Sequence, residues 1–113
     1  MQVPKDAVSL RIFLGENDKH QGKPLYEAIV LAARTAQLAG ATVLRGPMGF
    51  GHSSRLHTAK ILRLSEDLPV VIEIVDGEDK IRGFLPELEI MMGSGLVTLE
   101  KVQVLKYGDG SAT

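Results

Sequence analysis

Residues 69–75, Pro-Val-Val-Ile-Glu-Ile-Val, are β-branched and apolar at both parities. A strand with apolar side chains on both faces belongs in the middle of a sheet. That placement requires pairing strands on either side, and the chain offers three. Residues 7–14 alternate, with Val8, Leu10, Ile12 and Leu14 against Ser9, Arg11 and Phe13. Period two predicts a half-buried strand. Residues 41–46 read as a second strand and 96–106 as a last one. In the last, Val97 and Leu99 share one parity and Val102 and Val104 the other, which predicts a bulge or an early break near Glu100-Lys101. Residues 60–65 are read as a further short strand returning from a loop.

Two helices fill the intervals. Pro24 suits a first helical turn, and Leu25, Ile29, Ala32, Ala33 and Ala36 recur at helical spacing, with Gly40 as the expected stop. Ile81, Phe84, Leu85, Leu88, Met91 and Met92 form a second 3.6-residue stripe. Pro86 should kink it or mark a restart, and Gly93-Ser94-Gly95 should end it. The order strand, helix, strand, strand, helix, strand predicts an α+β, ferredoxin-like β-α-β-β-α-β sandwich. Its sheet is mostly antiparallel and four-stranded, with both helices on one face. The other face would then carry Phe13 and half of 70–75, an apolar surface that self-association would cover.

A chain of 113 residues is read as one domain over 1–107, with 108–113 as a disordered tail. It contains no cysteine, which excludes disulfides, thiolate metal sites and cysteine nucleophiles. No apolar run approaches the roughly 20 residues that span a bilayer, so a cytoplasmic location is expected. Net charge is −1, too small to argue for nucleic acid. The charges are unevenly spread, however. No acid lies between Glu27 and Glu66, whereas Arg34, Arg45, Arg55, Lys60 and Arg63 all do. A cationic, acid-free stretch favours an anion, or else is a plain basic surface loop.

Within that stretch, Gly46, Gly49 and Gly51 have the spacing G-x-x-G-x-G, which is neither a Rossmann fingerprint nor a P-loop. Such glycines can bring backbone N–H groups close to a phosphate, or serve a flexible hairpin tip. Gly22-Lys23-Pro24 at a helix start offers a second anion locus, against the reading of an ordinary helix start. Ser53, Ser54 and His57 match no nucleophile motif. Glu66, Asp67 and Glu73 fit no catalytic carboxylate pair, and Met91 and Met92 belong to the helical stripe. No catalysis is expected.

Several segments in order carry a family resemblance. They are Gly22-Lys23-Pro24-Leu25-Tyr26-Glu27, Gly40-Ala41-Thr42-Val43-Leu44-Arg45-Gly46, Gly49-Phe50-Gly51, Ile61 through Pro69, and Gly95-Leu96-Val97-Thr98-Leu99-Glu100. Over about residues 7–107 the chain resembles an uncharacterised branch of the P-II-like signal proteins, related to the nitrogen-regulatory P-II proteins. The resemblance implies a homotrimer with an adenine nucleotide in clefts between subunits. It implies a T-loop that switches to control a protein partner, with a membrane transporter as the analogue. Nucleotide-binding residues would be Arg45, Gly46, Gly49, Phe50, Gly51, Arg55, Lys60, Gly93, Gly95 and Lys106. Residues 52–58 would form a short T-loop. Gly93-Ser94-Gly95 lacks the lysine of the P-II phosphate loop, which favours AMP or ADP over ATP. No cofactor is required on this reading. The alternative is a trimeric metal-binding protein resembling the divalent-cation tolerance proteins, with His52 and His57 as ligands. The acid-free surroundings oppose it, because hard cations seek carboxylates. An enzyme acting on a phosphorylated metabolite is a weaker third reading.

Overall fold

The computed structural model describes residues 3–50, 56–58 and 68–111. Four strands form one sheet: β1 (Asp6–Gly15), β2 (Thr42–Arg45), β3 (Pro69–Asp76) and β4 (Leu96–Gln103). The helices are α1 (Leu25–Thr35), between β1 and β2, and α2 (Glu78–Met91), between β3 and β4. The sheet order is β2-β3-β1-β4, with every neighbouring pair antiparallel. This is the ferredoxin-like sandwich, and β3 is central as its two-faced composition requires. Residues 60–65 lie outside the described residues, so the short strand expected there does too.

Pleat alternation sorts the side chains. Val8, Leu10, Ile12 and Leu14 of β1 and Val70, Ile72 and Ile74 of β3 all face one way and are buried. Leu25, Ile29 and Ala33 of α1 and Ile81, Phe84 and Leu88 of α2 close over them. Each large apolar side chain fully buried here contributes about 1.5–3 kcal/mol. The opposite face is different. Its register aligns Leu44, Val71, Phe13 and Leu96 in one row across all four strands. Leu44 and Leu96 remain more than half exposed. The next row holds Arg11, which pairs with Glu73 at 2.8 Å and more loosely with Glu100 at 3.9 Å. The hydrogen bond and charge of Glu73 push the Arg11 pKa up from its ordinary value.

Four expectations are corrected, and one local feature is added. First, α1 does not run to Gly40. It ends at Ala36, and Gln37 takes the left-handed turn at φ +63°. Leu38 N–H donates to Ala33 O and Gln37 N–H to Arg34 O, a Schellman motif closed by buried Leu38 over Ala33. Second, Pro86 does not mark a restart: α2 is continuous from Glu78 to Met91. Pro86 lies on the exposed side, where water can satisfy the carbonyl that its missing N–H leaves unbonded. Third, β4 has no bulge: its register against β1 is unbroken from Leu96 to Gln103. The strand ends at Gln103, and Val104 N–H turns away to Lys5 O. Fourth, 108–113 is not an open tail throughout. Lys106–Tyr107 pairs with Gly110–Ser111 around Gly108 at φ +66°. The Tyr107 hydroxyl donates to Ala39 O at 2.7 Å, on the far side of the sheet from β4. The added feature is a small ribbon in the loop after β1, Lys19–His20 against Lys23–Pro24, turning on left-handed Gln21 and Gly22.

One node ties the helical layer to the sheet. Asp76, fully buried at the end of β3, accepts from Ala39 N–H at 2.9 Å and Gly77 N–H at 2.7 Å. Lys80, one helical turn on, lies 3.5 Å from the same carboxylate and donates to Gln37 O at 2.6 Å. The end of α1 and the start of α2 therefore share one acceptor.

Two predictions follow from this layer. Asp76→Ala strands two amides and should lower stability by about 2–4 kcal/mol in urea unfolding. A loss below half a kilocalorie would mean the amides find water instead. Gln37→Gly removes the left-handed strain of an exposed side chain and should raise stability by about 0.5–1 kcal/mol in the same assay.

Candidate functional site

The end of the sheet where Gly15 meets Pro69 gathers most of the described site residues. Arg45 closes β2 there, paired in register with Val70. From Arg45 the chain passes through Gly46 into a second ribbon, Met48–Phe50 against Leu56–Thr58, which leaves the sheet as a projecting hairpin. Phe50 is 72% exposed in it. Gly51, Arg55 and Lys60 lie outside the described residues, as do His52 and the side chain of His57. The metal alternative therefore falls outside them as well. Among the described residues, no three His, Asp or Glu side chains gather to hold a metal ion.

The glycines have a structural use that spacing does not reveal. Gly46 N–H donates to Pro69 O at 2.8 Å, so this amide is committed and cannot also cradle a phosphate. A Cβ on Gly46 would meet the Pro69 ring at 3.0 Å, and one on Gly49 at 3.2 Å. Both glycines let the root of the hairpin lie flat on Pro69. Gly95 is constrained elsewhere: it sits at φ +138°, where an added Cβ would lie 3.1 Å from Phe13 O.

Gly93 and Gly95 lead into β4 at this same end, but at the opposite edge of the sheet from Arg45. Three strand spacings separate the two edges, about 14 Å. Lys106 is farther away. It follows β4 at the other end of the sheet from Arg45. The fold thus brings Arg45, Gly46 and Gly49 together, sets Gly93 and Gly95 across the sheet, and keeps Lys106 apart. A cleft of about 470 Å³ lies at the Lys106 end, between Asp6, Ala7, Glu78, Lys101, Val102 and Gln103. None of the sequence-predicted site residues among the described residues lines it. The helix-start locus is partly used too, since Leu25 N–H donates to Asp18 O at 2.7 Å.

Sequence reading missed Glu16. Its carboxylate lies 2.6 Å from Arg45 Nη2 and its side chain is 21% exposed, against 50% for Arg45. Arg45 stands within an acid-free stretch of sequence, yet its counter-ion arrives from the loop after β1. No local signal could have found it, because the pairing exists only once β3 brings β1 and β2 to one end. No helix among the described residues is long and apolar enough to cross a membrane.

Comparison with known proteins agrees with this architecture. The chain is 42% identical over 105 residues to a UPF0166 protein of Aquifex aeolicus, covering 93% of this chain and 98% of that one. It is 38% identical over 98 residues to a UPF0166 protein of Methanocaldococcus jannaschii, covering 86% and 90%. Among solved structures it resembles CPII from Thiomonas intermedia K12, with a TM-score of 0.60, 21% identity and 88% of each chain covered. CPII is described as a nitrogen regulatory PII-like protein bound to ADP, AMP and bicarbonate. At that identity the likeness establishes the fold, which is PII-like. The model of the DUF190 family, described as "Uncharacterized ACR", matches residues 7–104, and the chain belongs to that family.

Proposed function

We propose that this protein is a trimeric regulator that binds an adenine nucleotide, AMP or ADP in preference to ATP, in clefts between its subunits. The observation that carries the reading is the shared fold, over 88% of both chains, with a PII-like protein bound to ADP and AMP. Two features of this chain support it. The apolar row Leu44, Val71, Phe13 and Leu96 is the kind of surface that association removes from water. Arg45 and Lys106, at opposite ends of one subunit's sheet, serve one ligand on this reading with a neighbouring subunit supplying one of them. Arg45, Arg55 and Lys60 supply the charge for the phosphates on this reading. Phe50 borders the adenine, and Gly46, Gly49, Gly51, Gly93 and Gly95 shape the backbone around it.

The output is conformational rather than catalytic. Nucleotide binding biases residues 49–58 between states that a protein partner distinguishes, and the bias cannot exceed the ligand's differential affinity for them. A membrane transporter is the partner class that the P-II analogy favours, and the protein acts in the cytoplasm.

The test combines calorimetric titration with AMP, ADP, ATP and cyclic AMP and light-scattering mass. Expected are three times the 12.2 kDa chain mass and micromolar binding of one nucleotide per subunit. A folded protein that gives no heat with any of the four sinks the nucleotide reading. Leu96→Glu puts a charge into the apolar row at a residue already exposed in the single chain, so it should fold and run as a monomer. An intact trimer would remove that row from the interface. Arg55→Ala should weaken binding about tenfold or more without changing the mass. Unchanged affinity removes Arg55 from the site.

A further inference from the structure

Among the described residues, Glu16 makes two of the hydrogen-bonded or ionic contacts that hold the root of the hairpin. Its backbone N–H donates to Leu68 O at 2.8 Å, at the start of β3. Its carboxylate takes Arg45 Nη2 at 2.6 Å, at the end of β2. A third contact is Gly46 N–H to Pro69 O. Glu16 is itself set by its loop: Gly15 N–H donates to Asp18 Oδ2 at 2.9 Å, and Asp18 N–H returns to Gly15 O at 3.2 Å. A short loop fixed at Gly15 and Leu68 thus presents one carboxylate to the strand end from which the hairpin departs.

We infer that Glu16 is the resident counter-ion of Arg45, which an anionic ligand must displace, so that ligand occupancy is coupled to the hairpin root. The inference rests on the nucleotide reading above. Of the five guanidinium N–H donors, Nη2 is held by Glu16, so a phosphate that takes that donor does so by exchange, and one that takes the others is repelled by the carboxylate beside it. The exchange is cheap. An ion pair this accessible to water is worth little, so a phosphate with its higher charge and three acceptor oxygens can win it. What is lost on exchange is the side-chain tie between the β1–α1 loop and the end of β2. The β2 end and the ribbon that continues it are then free to respond to the ligand, while Gly46 N–H and Glu16 N–H keep their backbone bonds. A weak, replaceable anion on the binding cation also sets a threshold, since ligands with a single weak charge gain nothing by displacing it.

Two measurements on the full chain test this with Glu16→Gln, which keeps the shape and the backbone bond and removes the charge. The first is amide hydrogen exchange of residues 46–50 without ligand. Exchange in the variant should be about two- to fivefold faster, the range an exposed ion pair commands. Unchanged exchange overturns the tie, whatever the protein binds. The second is calorimetric titration with ADP. Affinity in Glu16→Gln should rise about two- to fivefold over the native protein. Equal or weaker affinity in a variant that still binds overturns the competition and leaves the nucleotide reading standing. Absence of heat with ADP on both proteins overturns the competition, and the exchange result then judges the tie alone; the nucleotide reading falls with it only where AMP, ATP and cyclic AMP give no heat either. Arg45→Ala is the control for direction: it removes the cation and should weaken ADP binding, where Glu16→Gln strengthens it.

Discussion

Eight consecutive pairs, from Val8 opposite Asp76 to Gly15 opposite Pro69, lock β1 against β3, and the other elements take their places from that register. Because side chains alternate, this one alignment puts Val8, Leu10, Ile12 and Leu14 on the same face as Val70, Ile72 and Ile74. A slip of one residue would turn the whole set away from the helices. The register also defines the two ends of the molecule. At one end Asp76 is carried into the layer of helix termini and collects Ala39, Gly77 and Lys80. At the other, Gly15 and Pro69 come level, and Glu16 and Arg45 meet beyond them.

The fold was legible because its signals are periodic. Two apolar stripes at helical spacing and a strand apolar at both parities leave few arrangements, and the connection rules for strand–helix–strand units narrow them further. The errors fall where a local residue preference was read without its surroundings. Gly40 is a good helix stop by type, but Leu38 finds a buried seat over Ala33. That contact, with the Schellman hydrogen bonds, holds Gln37 in a conformation it would not choose alone. Pro86 is a poor helix residue by type, but on the exposed face the missing bond costs less than breaking a helix whose other face packs Phe84 and Leu88. Val102 and Val104 looked like a change of phase in β4. Lys101 instead sits opposite Val8 in unbroken register, and Val104 already lies beyond the strand.

The candidate site was less legible, and for a different reason. Its residues are marked by type, arginine and glycine in a loop, whereas their roles depend on what the fold brings alongside. Arg45 sits in a stretch of sequence without acids, and the structure supplies Glu16 from beyond the helix that separates them. Gly46 and Gly49 have the spacing of a phosphate cradle, and the structure sets them against the Pro69 ring. Lys106 follows the last strand closely in sequence, yet lies at the other end of the sheet from Arg45. Charge counts along a sequence miss a counter-ion that only tertiary structure brings near.

The two ends of the sheet differ in how strongly they are held, and that difference bears on regulation. Asp76 is wholly buried, and two amides depend on its oxygens. Removing it leaves polar groups unpaired in the interior, which is among the costlier single changes a small domain can suffer. Glu16 and Arg45 are both accessible to water, and an ion pair of that kind contributes about 1 kcal/mol at most. The helices are therefore tied to the sheet at the end where nothing needs to move. The hairpin root is tied at the other end by a contact that a modest ligand can replace. A ligand shifts a conformational equilibrium only by its differential affinity for the two states. On the proposed function, a root held by a weak charge pair places that requirement within reach of a nucleotide phosphate, while the eight-rung pairing of β1 and β3 holds the rest of the sheet in register.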